Sequence, residues 1–203
     1  MARKKSVSDE AVLRAAREVF LTDGFGAATT EIATRAGVSE ALLFKRFRTK
    51  EELFASAMGL SEVPRWVEEI DARVGKGDPK QSLRELALMI IESLRRTLPR
   101  TMMMWSSRVK PPSRREQRDS PRVRDVKALS RYMEQEMLLG RIRKSNPEVA
   151  ARALFGSLLN YAFSETMGAH VGKRIEPEQY VQSLIELLWS GLGPSAAGRS
   201  KVR

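Results

Sequence analysis

Apolar residues recur along this chain at the three- and four-residue spacing of an α-helix, and the alternation typical of β-strands is almost absent. Near the N-terminus, Ser8 is a predicted N-cap and Gly24 a predicted stop, on either side of a stripe formed by Val12, Ala15, Ala16, Val19 and Phe20. Further helices are predicted over residues 29–36, 39–47, 80–98, 122–140, 147–167 and 177–191, with a longer stretch that opens at Glu51 and is interrupted at Pro64, and a Met-rich piece between Pro99 and residue 108. The sequence therefore predicts an all-α fold of about nine helices.

The composition excludes several classes of function. The 203 residues include no Cys and one His, so neither a sulfur-ligated zinc site nor a His cluster can form. No apolar run approaches the roughly 18–20 residues that cross a bilayer, and neither of the common glycine motifs for phosphate binding occurs. Acidic pairs such as Glu134 and Glu136 are expected to be surface charge. We therefore expect a cytoplasmic protein that is not an enzyme and needs no metal or cofactor.

The positive charge is concentrated in two regions. The net charge is +11; residues 1–50 carry ten Lys or Arg and six acidic residues, and residues 95–124 carry ten Lys or Arg and two acidic residues. Such a balance indicates a polyanionic partner or a basic tail. We interpret the run over 108–124 as a solvated loop rather than a second nucleic-acid site, and residues 194–203 as a disordered basic tail.

Residues 29–53 have the features of a helix-turn-helix. Ala33 is small where two helices would cross closely, Gly37 suits a turn with positive φ, and Ser39 can cap the second helix. Val38 can fill the angle between the helices. The buried side would comprise Ile32, Ala36, Leu43 and Phe47, and the outward side Glu40, Ala41, Phe44 and Lys45. An ordinary helical hairpin is the alternative interpretation.

The second helix of this pair, Glu40 to Phe47, is long enough to place its first turn in a major groove. Lys45 can donate to guanine, and Ala41 or Leu42 can touch a thymine methyl group. Glu40 can accept from a cytosine amino group or simply remain solvated. Two predicted helix starts offer groups that can bind phosphate oxygens. One has the hydroxyls of Thr29 and Thr30, the other has the ammonium of Lys50, and both have free backbone N–H groups. A short basic arm, either in a minor groove or disordered, is formed by Arg3, Lys4 and Lys5.

The same segment resembles the TetR family of transcriptional regulators, whose pattern is roughly T-x-x-I-A-x-x-A-G-V-S-x-x-x-L-Y-x-H-F-x-x-K-x-x-L. The matching residues are Thr29, Ile32, Ala33, Ala36, Gly37, Val38, Ser39, Leu43, Phe47, Lys50 and Leu53. Phe44 stands where Tyr is usual, which loses a hydroxyl, and Arg46 stands where His is common, which adds a cation. The candidate DNA contacts are thus Arg3, Lys4, Lys5, Thr29, Thr30, Ser39, Glu40, Ala41, Leu42, Phe44, Lys45, Arg46 and Lys50.

The last two predicted helices are more apolar than a single buried face requires. Residues 153–163 are apolar almost all round, so a helix there must be covered on two sides. A large monomeric core would satisfy this requirement, and so would a homodimer through helices 147–167 and 177–191. The resemblance favours the homodimer, which would bind a palindromic DNA operator.

Large flexible and aromatic residues concentrate in the middle of the chain, and Met adapts to irregular cavities. They predict a pocket for an apolar or amphipathic small molecule, although ordinary core packing is the alternative. The resemblance implies domains at 1–50 for DNA and 51–193 for the effector and dimerisation, and a ligand-released repressor; a constitutive or architectural DNA binder is the alternative. The candidate pocket residues are Trp66, Met89, Met102, Trp105, Met133, Met137, Phe155 and Leu159.

Overall fold

The structure is a computed structural model, which describes residues 7–106, 120–169 and 172–192. Within those ranges the chain forms nine α-helices, one 3-10 turn and no strand, which confirms the all-α prediction. The helices are α1 Asp9–Asp23, α2 Thr29–Ala36, α3 Glu40–Arg46, α4 Lys50–Ala57, α5 Arg65–Glu69, α6 Pro79–Ser106, α7 Pro121–Leu138, α8 Pro147–Met167 and α9 Pro177–Leu192, with the 3-10 turn at Asp71–Arg73. The predicted arm at Arg3, Lys4 and Lys5, most of the 108–124 loop and the 194–203 tail lie outside the described residues.

The described residues group into two compact units. The first contains residues 7–62 and 99–106, and the second contains 63–98, 120–169 and 172–192. Helix α6 thus supplies residues to both. None of the helices in the described ranges is long and apolar enough to cross a membrane.

The first unit is built on α1 to α4, whose ends follow the local signals in the sequence. The Ser8 side chain accepts from the Ala11 N–H, and Gly24 ends α1 with a φ of 71°. The core contains three aromatic rings: Phe54 meets Phe20 and Phe25 edge-on, at centroid distances of 4.9 and 5.2 Å. Because α4 places Phe54 in this core, the helix after the helix-turn-helix packs with the N-terminal unit.

The second unit has a core of apolar side chains from α5 to α9. Ser120 and Asn146 cap α7 and α8, and each of these helices has Pro in its first turn. The core also contains a fully buried carboxylate. Glu136 accepts from the Gly75 N–H at 2.8 Å and from the Arg141 Nε at 2.7 Å.

The structure corrects three sequence predictions. Glu136 is buried rather than surface charge, because Arg141 and the Gly75 N–H compensate it; Glu134 is exposed as expected. Helix α6 continues through Pro99, since a proline removes only one backbone hydrogen bond, and the turns on both sides remain helical. The stretch that opens at Glu51 was expected to stay helical as far as an interruption at Pro64. Instead α4 starts at Lys50, where Thr49 caps it, and ends at Ala57.

Candidate nucleic-acid interface

The turn between α2 and α3 has the geometry that its sequence requires. Gly37 adopts the left-handed conformation, with φ 69° and ψ 30°, and the Val38 N–H donates to the Ala33 carbonyl at 3.0 Å. Ser39 then caps α3 by accepting from the Leu42 N–H at 3.2 Å. The Ser39 oxygen therefore caps the start of α3. Its hydroxyl hydrogen can still donate to a further acceptor.

Helix α3 has one side in the core and the other in solvent. Leu43 is fully buried and Phe47, just beyond the helix, is buried, whereas the opposite side is exposed over four positions. Two of the exposed side chains are large and apolar. The exposed residues are Ala41, Leu42, Phe44 and Lys45. This surface combines one cation with apolar groups, and both can contact base edges in a major groove.

Two of the candidate DNA contacts bind each other. The Thr29 hydroxyl, at the start of α2, donates to the Glu40 Oε1 at the start of α3. Both side chains are half-buried, while the neighbouring Thr30 is exposed. Helix α2 has no side-chain cap, because its N-cap is Ala28, so the first N–H groups of α2 remain suited to an anion.

Lys50 opens α4 and lies beside an aromatic ring. Its Nζ is 5.1 Å from the centroid of Phe25, and partial burial lowers its pKa from the usual value, an effect that Glu51 opposes. A cation in the first turn also faces the positive end of the helix dipole. A phosphate oxygen beside Lys50 would favour the charged form, which suits the predicted role.

The structure places Arg46 differently from the other candidate contacts. Its guanidinium turns back toward the start of α1 and contacts Val7 and Asp9. In contrast, Arg48 is an exposed cation between α3 and α4 that the sequence analysis did not select. Its position between Phe47 and Lys50, inside the motif, was the available signal.

The candidate pocket residues fall in two places. Six of them belong to the apolar core of the second unit or pack against it: Trp66, Met89, Met133, Met137, Phe155 and Leu159. The other two lie outside that cluster, on the part of α6 that belongs to the first unit, where Met102 is half-buried and Trp105 is exposed. The neighbouring Met103 and Met104 pack on the core of the first unit.

The geometry of the first unit is that of a helix-turn-helix DNA-binding domain. Residues 12–57 match the family model described as "Bacterial regulatory proteins, tetR family". The N-terminal part of the chain is therefore similar to the DNA-binding domain of TetR-family regulators. No curated protein sequence matches the chain.

Several solved structures share the fold of this chain. The flavonoid-responsive regulator FrrA has a TM-score of 0.67 and 22% identity, over 92% of this chain and 97% of its own. SmeT, the repressor of the Stenotrophomonas maltophilia efflux pump SmeDEF, has a TM-score of 0.65 and 16% identity, over 96% and 95%. NalD, the secondary repressor of MexAB-OprM in Pseudomonas aeruginosa, has a TM-score of 0.60 and 21% identity, over 92% and 96%. At these identities the likeness shows the fold.

Proposed function

We propose that this protein is a homodimeric repressor that binds a palindromic operator and releases it when an apolar or amphipathic small molecule binds the second unit. The observation that carries the DNA-binding part is the exposed side of α3. Lys45 projects there beside Leu42 and Phe44, while Leu43 and Phe47 fix the helix in the core. A protein with this role acts where the chromosome is, which in a bacterium is the cytoplasm.

Contacts to phosphate would come from the helix starts on either side of α3. Lys50 at the start of α4 and the uncapped start of α2 supply an ammonium and backbone N–H groups. Such contacts fix the position of α3 without reading sequence, and sequence reading is left to residues 40–45. Lys45 is the exposed cation of that stretch and the best placed to select guanine.

Exposed apolar side chains on α8 and α9 support the homodimer. Val149 is 61% exposed, Phe163 43%, Met167 53% and Leu187 72%. Four large apolar side chains exposed on two consecutive helices are unusual for a surface that contacts only solvent. Burying them against a second copy would remove this exposed apolar area and impose the two-fold symmetry that a palindromic site requires.

The core of the second unit supports an apolar effector. Trp66, Met133 and Phe155 are buried together with flexible Met side chains at the edge, and drug-sized ligands generally occupy mostly apolar sites. The anionic end of an amphipathic effector would need a free cation. Arg95 is instead paired with Glu165 through two hydrogen bonds of 2.8 and 3.0 Å, so it could bind such a group only by giving up that pair.

Selection of DNA from a random double-stranded library by the purified protein tests the operator. We expect enrichment of an inverted repeat whose half-site centres lie one helical turn, or a multiple of it, apart. Enrichment of no sequence over background would contradict sequence-specific reading. It would favour an architectural binder held by charge alone.

Light scattering at micromolar concentration tests the dimer. We expect twice the mass of the chain, and we expect Leu187→Arg to lower it toward the monomer because a charge cannot be buried in that surface unpaired. Leu21→Arg is the matched control, since Leu21 is a comparably exposed leucine on α1 at 61%. A wild-type monomer would overturn the proposal.

A panel of apolar and amphipathic aromatic compounds, including a flavonoid because FrrA is flavonoid-responsive, tests the effector. Tryptophan fluorescence and operator binding are measured in parallel. A full switch from 99:1 to 1:99 needs about 5.5 kcal/mol of differential binding, and partial release needs less. Compounds that saturate the fluorescence change but leave operator affinity unchanged would indicate a constitutive DNA binder.

A further inference from the structure

The exposed side of α3 carries one charged side chain between two apolar ones. Successive residues of an α-helix point about 100° apart, so Lys45 lies nearly opposite the buried Leu43, on the line that faces away from the core. Leu42 and Phe44 flank Lys45, one on each side of that line. Their exposed fractions are 36% and 37%, against 0% for Leu43. The outward side of α3 is therefore a cation with a large apolar group on either side.

The two apolar side chains are available for a contact outside the first unit. Ser39 caps the start of α3 and Phe47 packs in the core, so the helix itself is fixed. The core cluster that the described residues of the first unit form contains neither Leu42 nor Phe44. Ala41, one turn before Lys45, is exposed and small, which leaves room for a partner to approach them. A contact that removes water from these side chains is favourable in proportion to the apolar area it buries.

The major groove of DNA offers an apolar group that matches these side chains. Thymine presents its C5-methyl group there, and guanine presents two acceptors that suit a lysine. When Lys45 donates to a guanine, the side chains on either side of it lie over the neighbouring base pairs. The same methyl group is present in 5-methylcytosine, which differs from thymine in its hydrogen-bonding groups. Leucine and phenylalanine side chains neither donate nor accept hydrogen bonds, so Leu42 and Phe44 respond to the methyl group and not to the pyrimidine that carries it.

We propose that Leu42 and Phe44 recognise pyrimidine C5-methyl groups beside the guanine that Lys45 binds, so that the operator affinity of this protein responds to cytosine methylation as well as to base sequence. This inference rests on the proposed binding of DNA through α3. It adds a chemical group that the operator must present and a covalent modification of DNA that can supply this group where thymine is absent.

Removal of single methyl groups from the selected operator tests the contact without any change to the protein. Each thymine is replaced in turn by deoxyuridine, which keeps the hydrogen-bonding groups of thymine and lacks its methyl. Affinity should fall about threefold to fivefold beside the guanine whose preference Lys45→Ala relaxes, and should stay unchanged elsewhere in the half-site. No loss at those positions, or a selected half-site without thymine beside that guanine, would overturn the proposal.

A second set of operators distinguishes the two sources of the methyl group. The thymine–adenine pair at each sensitive position is replaced by a cytosine–guanine pair, with the cytosine either unmodified or methylated at C5. The methylated operator should bind about threefold to fivefold more tightly than the unmodified one. Equal affinity for the two would overturn the response to cytosine methylation, and tighter binding to the unmodified operator would overturn the methyl contact itself.

A double-mutant cycle between protein and DNA assigns each methyl group to a side chain. Leu42→Ala and Phe44→Ala should each lose the sensitivity to deoxyuridine at one of the positions, and thermal unfolding shows that each is folded; Phe44→Leu, with its smaller side chain, replaces a variant of Phe44 that is not. Leu21→Ala is the matched control, because Leu21 is an exposed leucine on α1 and its loss should leave the sensitivity intact. Full sensitivity in the Leu42 and Phe44 variants would overturn the proposal.

Failure of the proposed function is a separate result. The wild-type chain would then show no preference for the selected operator over random DNA, whatever its methylation. A chain that prefers its operator and ignores every methyl substitution would retain the proposed function and refute only the methyl contact.

Discussion

The hydroxyl of Thr29 donates to the carboxylate of Glu40 at 2.5 Å, joining the first residue of α2 to the first residue of α3. The two helices of the DNA-binding motif are thus connected at their N-terminal ends by one side-chain hydrogen bond. Gly37 and Val38 connect them through the backbone. Glu40 has a structural partner, and one of its two carboxylate oxygens is already occupied.

Two substitutions of Glu40 separate its charge from its hydrogen bond. Glu40→Gln keeps an acceptor for Thr29 and removes a negative charge near the expected phosphates, so affinity for all DNA sequences should rise with little change in stability. Glu40→Ala removes the bond and should lower the free energy of unfolding by about 1 kcal/mol. Fluorescence anisotropy and urea unfolding measure the two effects. A Gln variant as unstable as the Ala variant would contradict this assignment.

Replacement of Lys50 by Ala should weaken binding to every DNA sequence. Lys50 lies at the start of α4 beside Phe25 and can reach only the backbone of DNA in the proposed arrangement. The plot of log affinity against log salt should therefore become flatter by about one unit. An unchanged slope would show that Lys50 binds no phosphate.

Replacement of Lys45 by Ala should change which bases are preferred. Lys45 is exposed on α3, and a lysine that donates to guanine contributes about 1–3 kcal/mol of discrimination. Repeating the library selection with the variant should relax the consensus at one position of each half-site. If the affinities for specific and for random DNA both fall by the same factor, Lys45 contacts only the DNA backbone.

Arg141→Ala should be among the most destabilising changes to a surface arginine in the second unit. It removes the Nε donor to Glu136, which is 0% exposed, together with two hydrogen bonds to the carbonyls of Lys76 and Gly77. We expect a loss of about 3 kcal/mol in urea unfolding. Arg152→Ala is the matched control: its pair with Glu148 is exposed on both sides and should contribute less than about 0.5 kcal/mol. Equal losses would refute the distinction.

Two carboxylates of the second unit should give opposite pH dependences. The hydrogen bonds from Arg95 lower the pKa of Glu165, so its stabilisation is complete above its ordinary pKa and is lost as pH falls through the lowered value. Burial raises the pKa of Asp125, with Arg124 opposing, so its ionisation costs stability as pH rises above the ordinary value. At neutral pH, Glu165→Gln should destabilise and Asp125→Asn should stabilise, as chemical unfolding at several pH values will show. If the two substitutions changed the free energy of unfolding in the same direction at neutral pH, this account would be contradicted.

The sequence predicted the parts of the fold that depend on neighbouring residues. Ser8 and Ser39 cap helices where expected, and Gly37 takes the positive φ that its turn needs. These features depend on three or four consecutive residues, so a single sequence contains the information. The side of α3 that faces the core was predictable for the same reason.

Contacts between distant segments were not predictable from one sequence. Arg46 was selected as a cation that could contact DNA, but its partner Val7 is 39 residues away and offers a backbone oxygen that carries no sequence signal. Glu136 resembled a surface acid because one of its two partners, the Gly75 N–H, lies 61 residues away and becomes a neighbour only when the second unit folds. The roles of the candidate DNA and pocket residues remain predictions.

Lys50 lies at a place that disfavours a positive charge, half-buried and at the positive end of α4, and burial lowers its pKa. We therefore expect a variant with a neutral residue there to be at least as stable as the free protein, and we expect a phosphate to compensate the unfavourable charge if DNA binds as proposed. Evolution for greater thermal stability alone would tend to remove this lysine, and evolution for operator binding would tend to retain it. Stability and recognition are opposing requirements at this position.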